Sequence, residues 1–362
     1  MKHLLYIALI PGLFIFTACQ KEELSREEKW ENLIHKTVDD KNVFGSVIRI
    51  EGKDFSWQYA AGNFEEESQY FIASTSKLYT TAIIFQLADE GKLSLDDPIA
   101  KYLDASVMKG LHIHKGTDYS DQITITHLLS QTSGLPDYFE GKDSDGNILR
   151  KELTAGNDRE WSFEELIALS KDMKPEFAPG TAGKALYSDT NYQLLGKIIE
   201  TLTQLSMAEA YEERIFKPLG LQKTYLYSDA GDEAPIDIYF KKEPLKIPLA
   251  MSSFKADGGI VSTAEESMIF IKAFMQGGLF SKEHLDQNNW NKIFYPLEYG
   301  VGMMRYKMPD FYRVPWFIGH SGLSGAFAWY SPEKDAFITG TVNQINKPGT
   351  SFRLILKMMN EL

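Results

Sequence analysis

Ser74-Thr75-Ser76-Lys77 places a hydroxyl and an amine in S-x-x-K spacing. The extended apolar stretch Gln69–Ala73 ends there, and Leu78, Ala82, Ile83, Leu87 and Ala88 then recur at helical spacing up to Gly91. One turn apart on a helix, the two side chains share a face. A serine hydroxyl is a weak nucleophile until a base takes its proton. A lysine within hydrogen-bond reach, its pKa lowered by burial, is such a base. A helix N-terminus adds backbone N–H groups and partial positive charge where an oxyanion could form. The spacing therefore predicts an activated serine.

Two further elements supply partners. Tyr187-Ser188-Asp189-Thr190-Asn191-Tyr192 follows Phe177-Ala178-Pro179-Gly180. A phenol becomes a proton carrier when nearby cations lower its pKa, although a lone tyrosine there could equally cap a helix and pack a core. Gly319-His320-Ser321-Gly322-Leu323-Ser324-Gly325 lies between strand-like segments. Its small residues let a backbone N–H approach a substrate edge-on, or simply form a glycine-rich hairpin.

In this order the three elements resemble the serine β-lactamase/penicillin-binding superfamily. The likeness is to its branch of class C β-lactamase-like hydrolases, esterases and D-amino-acid peptidases, with S-x-x-K, Y-x-N and a third box of K-T-G or H-T-G form. Ile125–Pro136, Ile215–Leu221 and Ala256–Thr263 resemble segments that recur in the same branch. The likeness runs from about Glu27 to the C-terminus. It implies acyl transfer without metal or cofactor, on an ester or amide. Ser74 would form the acyl-enzyme, and Lys77 and Tyr187 would share the proton work. The N–H groups of Ser74 and Leu323 would form the oxyanion hole. Asp189, His320, Ser321 and Gly322 would contact substrate, His320 and Ser321 along the edge that takes a carboxylate or leaving group. The fold implied is α+β: an antiparallel sheet flanked by terminal helices, with an inserted, mostly helical subdomain.

Two positions depart from the pattern. Asp189 stands where the branch has asparagine, and an ionised carboxylate accepts but cannot donate. Facing Lys77, it would favour the ammonium and shift the base role toward Tyr187; turned away, it would only cap the following helix. His320 replaces lysine, so a carboxylate anchor there would weaken as pH rises through the imidazole pKa. Both disfavour penicillin as the best substrate. The alternatives are a penicillin-sensitive D,D-peptidase or weak β-lactamase, and a non-catalytic ligand-binding lipoprotein.

The elements that must position these residues can be placed along the chain. With 43% hydrophobic and 24% charged residues in 362, the chain has a globular composition, and a net charge of -12 argues against nucleic acid as a partner. The apolar run Leu4–Phe16 is short for a bilayer span. Phe16-Thr17-Ala18-Cys19 resembles a lipobox, with Cys19, the sole cysteine, as lipid attachment site. Residues 1–19 are thus expected to be a lipoprotein signal, 20–26 a tether and 27–362 the domain. That places the protein in the cell envelope, anchored to the bilayer outside the cytoplasm. A helix is expected over Ser25–Val38 and strands over Val43–Glu51 and Asp54–Gly62. The helical insertion spans about 93–250, with helices opening at Asp97-Pro98 and covering Thr126–Leu129, Trp161–Ser170 and Tyr192–Leu205. Late strands are expected over Tyr299–Tyr306, Trp316–His320, Ala326–Tyr330 and Ala336–Val342, then a closing helix over Ser351–Met359. His112 and His114 read as surface residues rather than metal ligands, and Asp137–Asp145 as a solvated loop near the cleft mouth.

Overall fold

The structure is a computed structural model that describes residues 23–286 and 289–362. Helix α1 (Arg26–Thr37) opens with a Ser25/Glu28 capping box and buries Trp30 and Ile34. Strands β1 (Gly45–Glu51) and β2 (Ser56–Gly62) form the expected hairpin, followed by α2 (Ser76–Asp89). Beyond it come α3 (Asp189–Thr203) and α4 (Ala264–Gln276). Six strands return: β3 (Asn291–Phe294), β4 (Leu297–Tyr299), β5 (Met304–Tyr306), β6 (Phe317–Ser321), β7 (Ala326–Ser331) and β8 (Ala336–Thr341). Helix α5 (Gly349–Asn360) ends the chain.

The eight strands make one sheet in the order β3-β4-β5-β6-β7-β8-β1-β2, with every pairing antiparallel. The two ends of the chain therefore meet in mid-sheet, where Ile50 pairs with Ile338. On one side α1 and α5 are tied by the Trp30 indole N–H, which donates to the Met358 carbonyl at 2.8 Å. On the other side α4 packs against β8 and α2 against α3. Helix α2 is buried on nearly all sides, from Ser76 to Leu87. A helix surrounded by protein can be apolar all round, and this immobilises the lysine in its first turn.

The chain between α2 and α4 carries shorter helices at Ile125–Leu129 and Phe163–Asp172, and its Tyr225–Leu226 and Ile260–Ser262 form a small sheet with Tyr70–Phe71, which precedes α2. Three local expectations are corrected. Asp97-Pro98 does not open a long helix, because the Asp97 carboxylate is taken by the Ser94 N–H, Lys101 and Tyr102, and only a 3-10 turn at Ile99–Lys101 forms. Tyr299–Tyr306 is two strands, β4 and β5, joined at a turn where Gly302 has φ +79°. Helix α3 starts at Asp189 rather than Tyr192. His112, expected at the surface, is buried; His112 Nε2 and His114 Nδ1 each meet a main-chain carbonyl at 2.9 Å, of Phe177 and Pro175, which pins two loops together. Asp143 folds its loop on itself by accepting the N–H groups of Asp145 and Asn147.

Candidate active site

Ser74 occupies a 3-10 turn, Ala73–Thr75, that runs directly into α2. Ala73 has φ +45°, a left-handed conformation costing about 1–2 kcal/mol for a residue with a Cβ. The turn is held from both sides. Ile72 N–H donates to the Ile260 carbonyl at 3.0 Å, and Ser324 Oγ donates to the Phe71 carbonyl at 2.8 Å. A Cβ at Gly322 would lie 2.5 Å from the Ile72 carbonyl oxygen and 2.9 Å from Ala73 Cβ. Only glycine lets the loop after β6 come this close to the serine turn. Ser74 and Leu323 line the same two cavities, and among the described residues no group accepts a hydrogen bond from the N–H of either. Two free donors beside a serine suit an oxyanion.

Lys77 is fully buried. Its Nζ lies 2.6 Å from Asp189 Oδ1, close but off the line of a well-formed hydrogen bond, and donates to the Asp257 carbonyl at 2.7 Å. Burial disfavours its charge, but the Asp189 carboxylate, with Tyr187 and Asp257, outweighs that and holds the pKa above the ordinary lysine value. This corrects the expectation of a lysine made basic by burial: Lys77 is a fixed ammonium. Asp189 faces it rather than merely capping α3.

Tyr187 lies beside this pair, its ring centroid 5.3 Å from Lys77 Nζ. Burial raises the phenol pKa, opposed by the Lys77 charge and the Ser74 and Lys77 side chains and reinforced by Asp189. The net shift is upward, so the group rests as a neutral phenol. Its hydroxyl is buried yet makes no hydrogen bond of good geometry. An orphaned buried hydroxyl next to a candidate nucleophile is a donor and acceptor held ready.

Two carboxyls that sequence reasoning did not assign to the site complete the cluster, and one of them, Asp137, is buried rather than part of a solvated loop. Asp137 Oδ1 accepts the N–H groups of Phe139 and Asp189, both at 3.1 Å, which ties the 136–139 loop to the start of α3. Asp257 Oδ2 accepts the Tyr138 hydroxyl at 2.5 Å. Both are buried, and burial together with the Asp189 charge raises both carboxyl pKa values, that of Asp257 to about 7. The available signal was an acidic side chain set among small or apolar residues, in Gly134-Leu135-Pro136-Asp137 and Ala256-Asp257-Gly258-Gly259.

His320 does not take the place expected of it. It is fully buried and lines neither cavity at Ser74. Nδ1 donates to the Ser321 carbonyl at 2.8 Å, which leaves Nε2 to accept the Tyr299 hydroxyl at 3.1 Å. Tyr192 meets Tyr299 in turn at 3.0 Å. Burial first, then the Lys77 charge, depress the imidazole pKa to about 3. A neutral ring behind Tyr187 cannot act as a pH-dependent carboxylate anchor. Ser321 and Gly322 do line the cleft.

Ser74 sits between two cavities. One, of about 70 Å³, is walled by Tyr138, Leu153, Ile247, Met251 and Phe254. The other, of about 340 Å³, is walled by Tyr187, Phe294, Leu297, Met304, Ser321 and Phe352. Phe139 and Asp189, like Ser74 and Leu323, line both. Cys19 lies outside the described residues.

Known proteins resemble this chain over most of its length. The chain is 25% identical over 325 residues to penicillin-binding protein 4* of Bacillus subtilis (strain 168), covering 80% of this chain and 65% of that one. It is 28% identical over 305 residues to the teichoic acid D-alanine hydrolase of Staphylococcus aureus (strain NCTC 8325 / PS 47), covering 80% and 66%. It thus spans about two thirds of the length of these relatives. A D-stereospecific amidohydrolase from Streptomyces sp. superimposes with a TM-score of 0.75 at 26% identity, over 90% of this chain and 96% of the other. The family description "Beta-lactamase" matches residues 30–354, and the chain belongs to that family.

Proposed function

We propose that this protein is a serine hydrolase that cleaves aminoacyl esters or amides whose acyl group carries a free, protonated amine. The observation that carries this reading is Asp189, a carboxylate in the position of the branch's asparagine. One of its oxygens meets Lys77, and the side chain keeps 13% exposure into both cavities beside Ser74. A carboxylate has about four lone-pair sites, so an incoming ammonium finds an acceptor where an N-acylated substrate would need a donor. The surroundings agree. Asp257 lines the small cavity and Asp137 and Glu140 the large one. Arg150, at the small cavity, is paired with Glu140 at 2.6 Å. Among the described residues lining the large cavity there is no Lys, Arg or His. A leaving group ending in a carboxylate, as in a D,D-carboxypeptidase substrate, would find no cation there.

In the reaction, Ser74 Oγ attacks the carbonyl carbon and its proton passes to the Tyr187 oxygen, while the Tyr187 proton passes to the departing nitrogen or oxygen. A neutral phenol serves as a two-way relay, and the fixed Lys77 charge stabilises the phenolate character that develops. The N–H groups of Ser74 and Leu323 hold the oxyanion, and water then releases the acyl group by the reverse relay. The names of two relatives, a D-alanine hydrolase and a D-stereospecific amidohydrolase, support D-aminoacyl substrates.

Paired p-nitroanilides of one D-amino acid, with the amine free or N-acetylated, test this reading. The wild type is expected to favour the free amine by at least about tenfold in kcat/KM, and Asp189→Asn to reverse or erase that preference. Preference of the wild type for the N-acetyl form would overturn it. Anchoring through Cys19 in the cell envelope belongs to the same proposal. Labelled palmitate should enter the full-length chain and be absent from Cys19→Ala.

A further inference from the structure

Tyr187 lines the large cavity but not the small one. Since Tyr187 must hand its proton to the departing atom, the leaving group lies in the large cavity and the acyl group turns toward the small one. The small cavity is lined almost wholly by apolar side chains drawn from distant parts of the chain: Leu153, Ile238, Ile247, Met251 and Phe254, each under 9% exposed, with Phe139 at the rim. Of its charged wall groups, Asp189 and Asp257 belong to the Lys77 cluster and Arg150 is paired with Glu140. Two carboxyls in a mostly hydrocarbon wall match an α-carbon carrying an ammonium and an aliphatic side chain. About 70 Å³ is several times the ~10–15 Å³ that one water needs and about half the ~150 Å³ of a cavity known to admit benzene. The space suits three or four carbons, more than a methyl group and less than an aromatic ring.

We propose that this cavity sets acyl specificity: the preferred acyl group bears an aliphatic side chain of valine or leucine size, so that alanyl and aromatic acyl groups are both poorer substrates. The inference rests on Ser74 as the acylated residue and deepens that reading. Leu153 and Met251 approach from different segments and close the cavity that determines chain length. Filling it from either wall should shorten the accepted chain.

The test uses p-nitrophenyl esters of straight-chain acids from acetyl to octanoyl. They carry no amine, so the outcome is independent of Asp189. For the wild type, kcat/KM should rise about fourfold per added methylene, to about fifteenfold from acetyl to butanoyl. It should peak at pentanoyl or hexanoyl and fall by octanoyl. Met251→Trp and, independently, Leu153→Trp should bring the butanoyl-to-acetyl ratio to near one, with folding checked by Tm. Phe311→Ala, on an exposed loop (75% exposed), should leave the wild-type profile intact. A flat wild-type profile, a maximum at octanoyl, or tryptophan variants that keep the fifteenfold ratio would each overturn the cavity assignment while leaving Ser74 chemistry standing. Absence of Ser74-dependent hydrolysis of every ester would instead remove the reading beneath it.

Discussion

Tyr187 adjoins two flanks, one charged and one neutral, that meet where Lys77 Nζ lies 5.5 Å from the Tyr192 ring. On one flank Lys77 sits among Asp189, Asp257 and Asp137, one ammonium against three carboxyls. On the other, His320, Tyr299 and Tyr192 form a neutral hydrogen-bonded chain. Burial acts on both by the same rule, disfavouring charge. The outcome differs because Lys77 has a carboxylate 2.6 Å away, whereas His320 has a phenol and a main-chain carbonyl. The charged flank adjoins the cavities where charge develops during reaction, and the neutral one sets the position of the Tyr187 ring, 6.2 Å from the imidazole and 5.9 Å from the Tyr299 ring.

Substitutions should separate the flanks by size of effect. Ser74→Ala, between them, should lower turnover by about 10⁴-fold or more, read as initial rate at saturating ester. Tyr187→Phe should cost about 10²–10⁴-fold in kcat, because the relay loses its proton while the ring stays. On the charged flank, Lys77→Met removes the partner of the Asp189 carboxylate, with an expected loss of about 3–5 kcal/mol in urea unfolding as well as of activity. On the neutral flank, His320→Gln should cost about 1 kcal/mol and less than tenfold in kcat. Equal losses from Lys77→Met and His320→Gln would erase the distinction.

The pH dependence sharpens the same contrast. With its pKa near 3, His320 should give no inflection between pH 5 and 8. Asp257 has its folded-state pKa raised from the ordinary carboxylate value to about 7. Between about pH 4 and 7 the folded chain therefore binds more protons than the unfolded one, so this group makes stability fall as pH rises through that window and level off above it. Asp257→Asn should flatten that slope in a Tm-against-pH series.

Much of this was legible from residue types and spacing. Lys77 lies beside Tyr187, which lines the large cavity with Ser74, and early and late strands do join one sheet. What escaped depended on tertiary neighbours. The carbonyl that receives Lys77 Nζ belongs to Asp257, 180 residues away, and no local pattern announces that pairing. The sign of the Lys77 shift turned on whether Asp189 faced it, which sequence left open. The burial of His320 follows from its place on β6 against Tyr299 of β4, across strands whose order only the folded sheet defines. Asp97-Pro98 carried a sound helix signal that lost to a nearer use of the same carboxylate.

Acyl transfer through Ser74 is tested most directly by intact-mass spectrometry of the protein quenched within the first turnovers on an aminoacyl ester, beside Ser74→Ala. The expected result is a mass gain equal to the acyl group on the wild type and none on the variant. No gain in the wild type while ester is being consumed, or the same gain in Ser74→Ala, would contradict a covalent route through this serine.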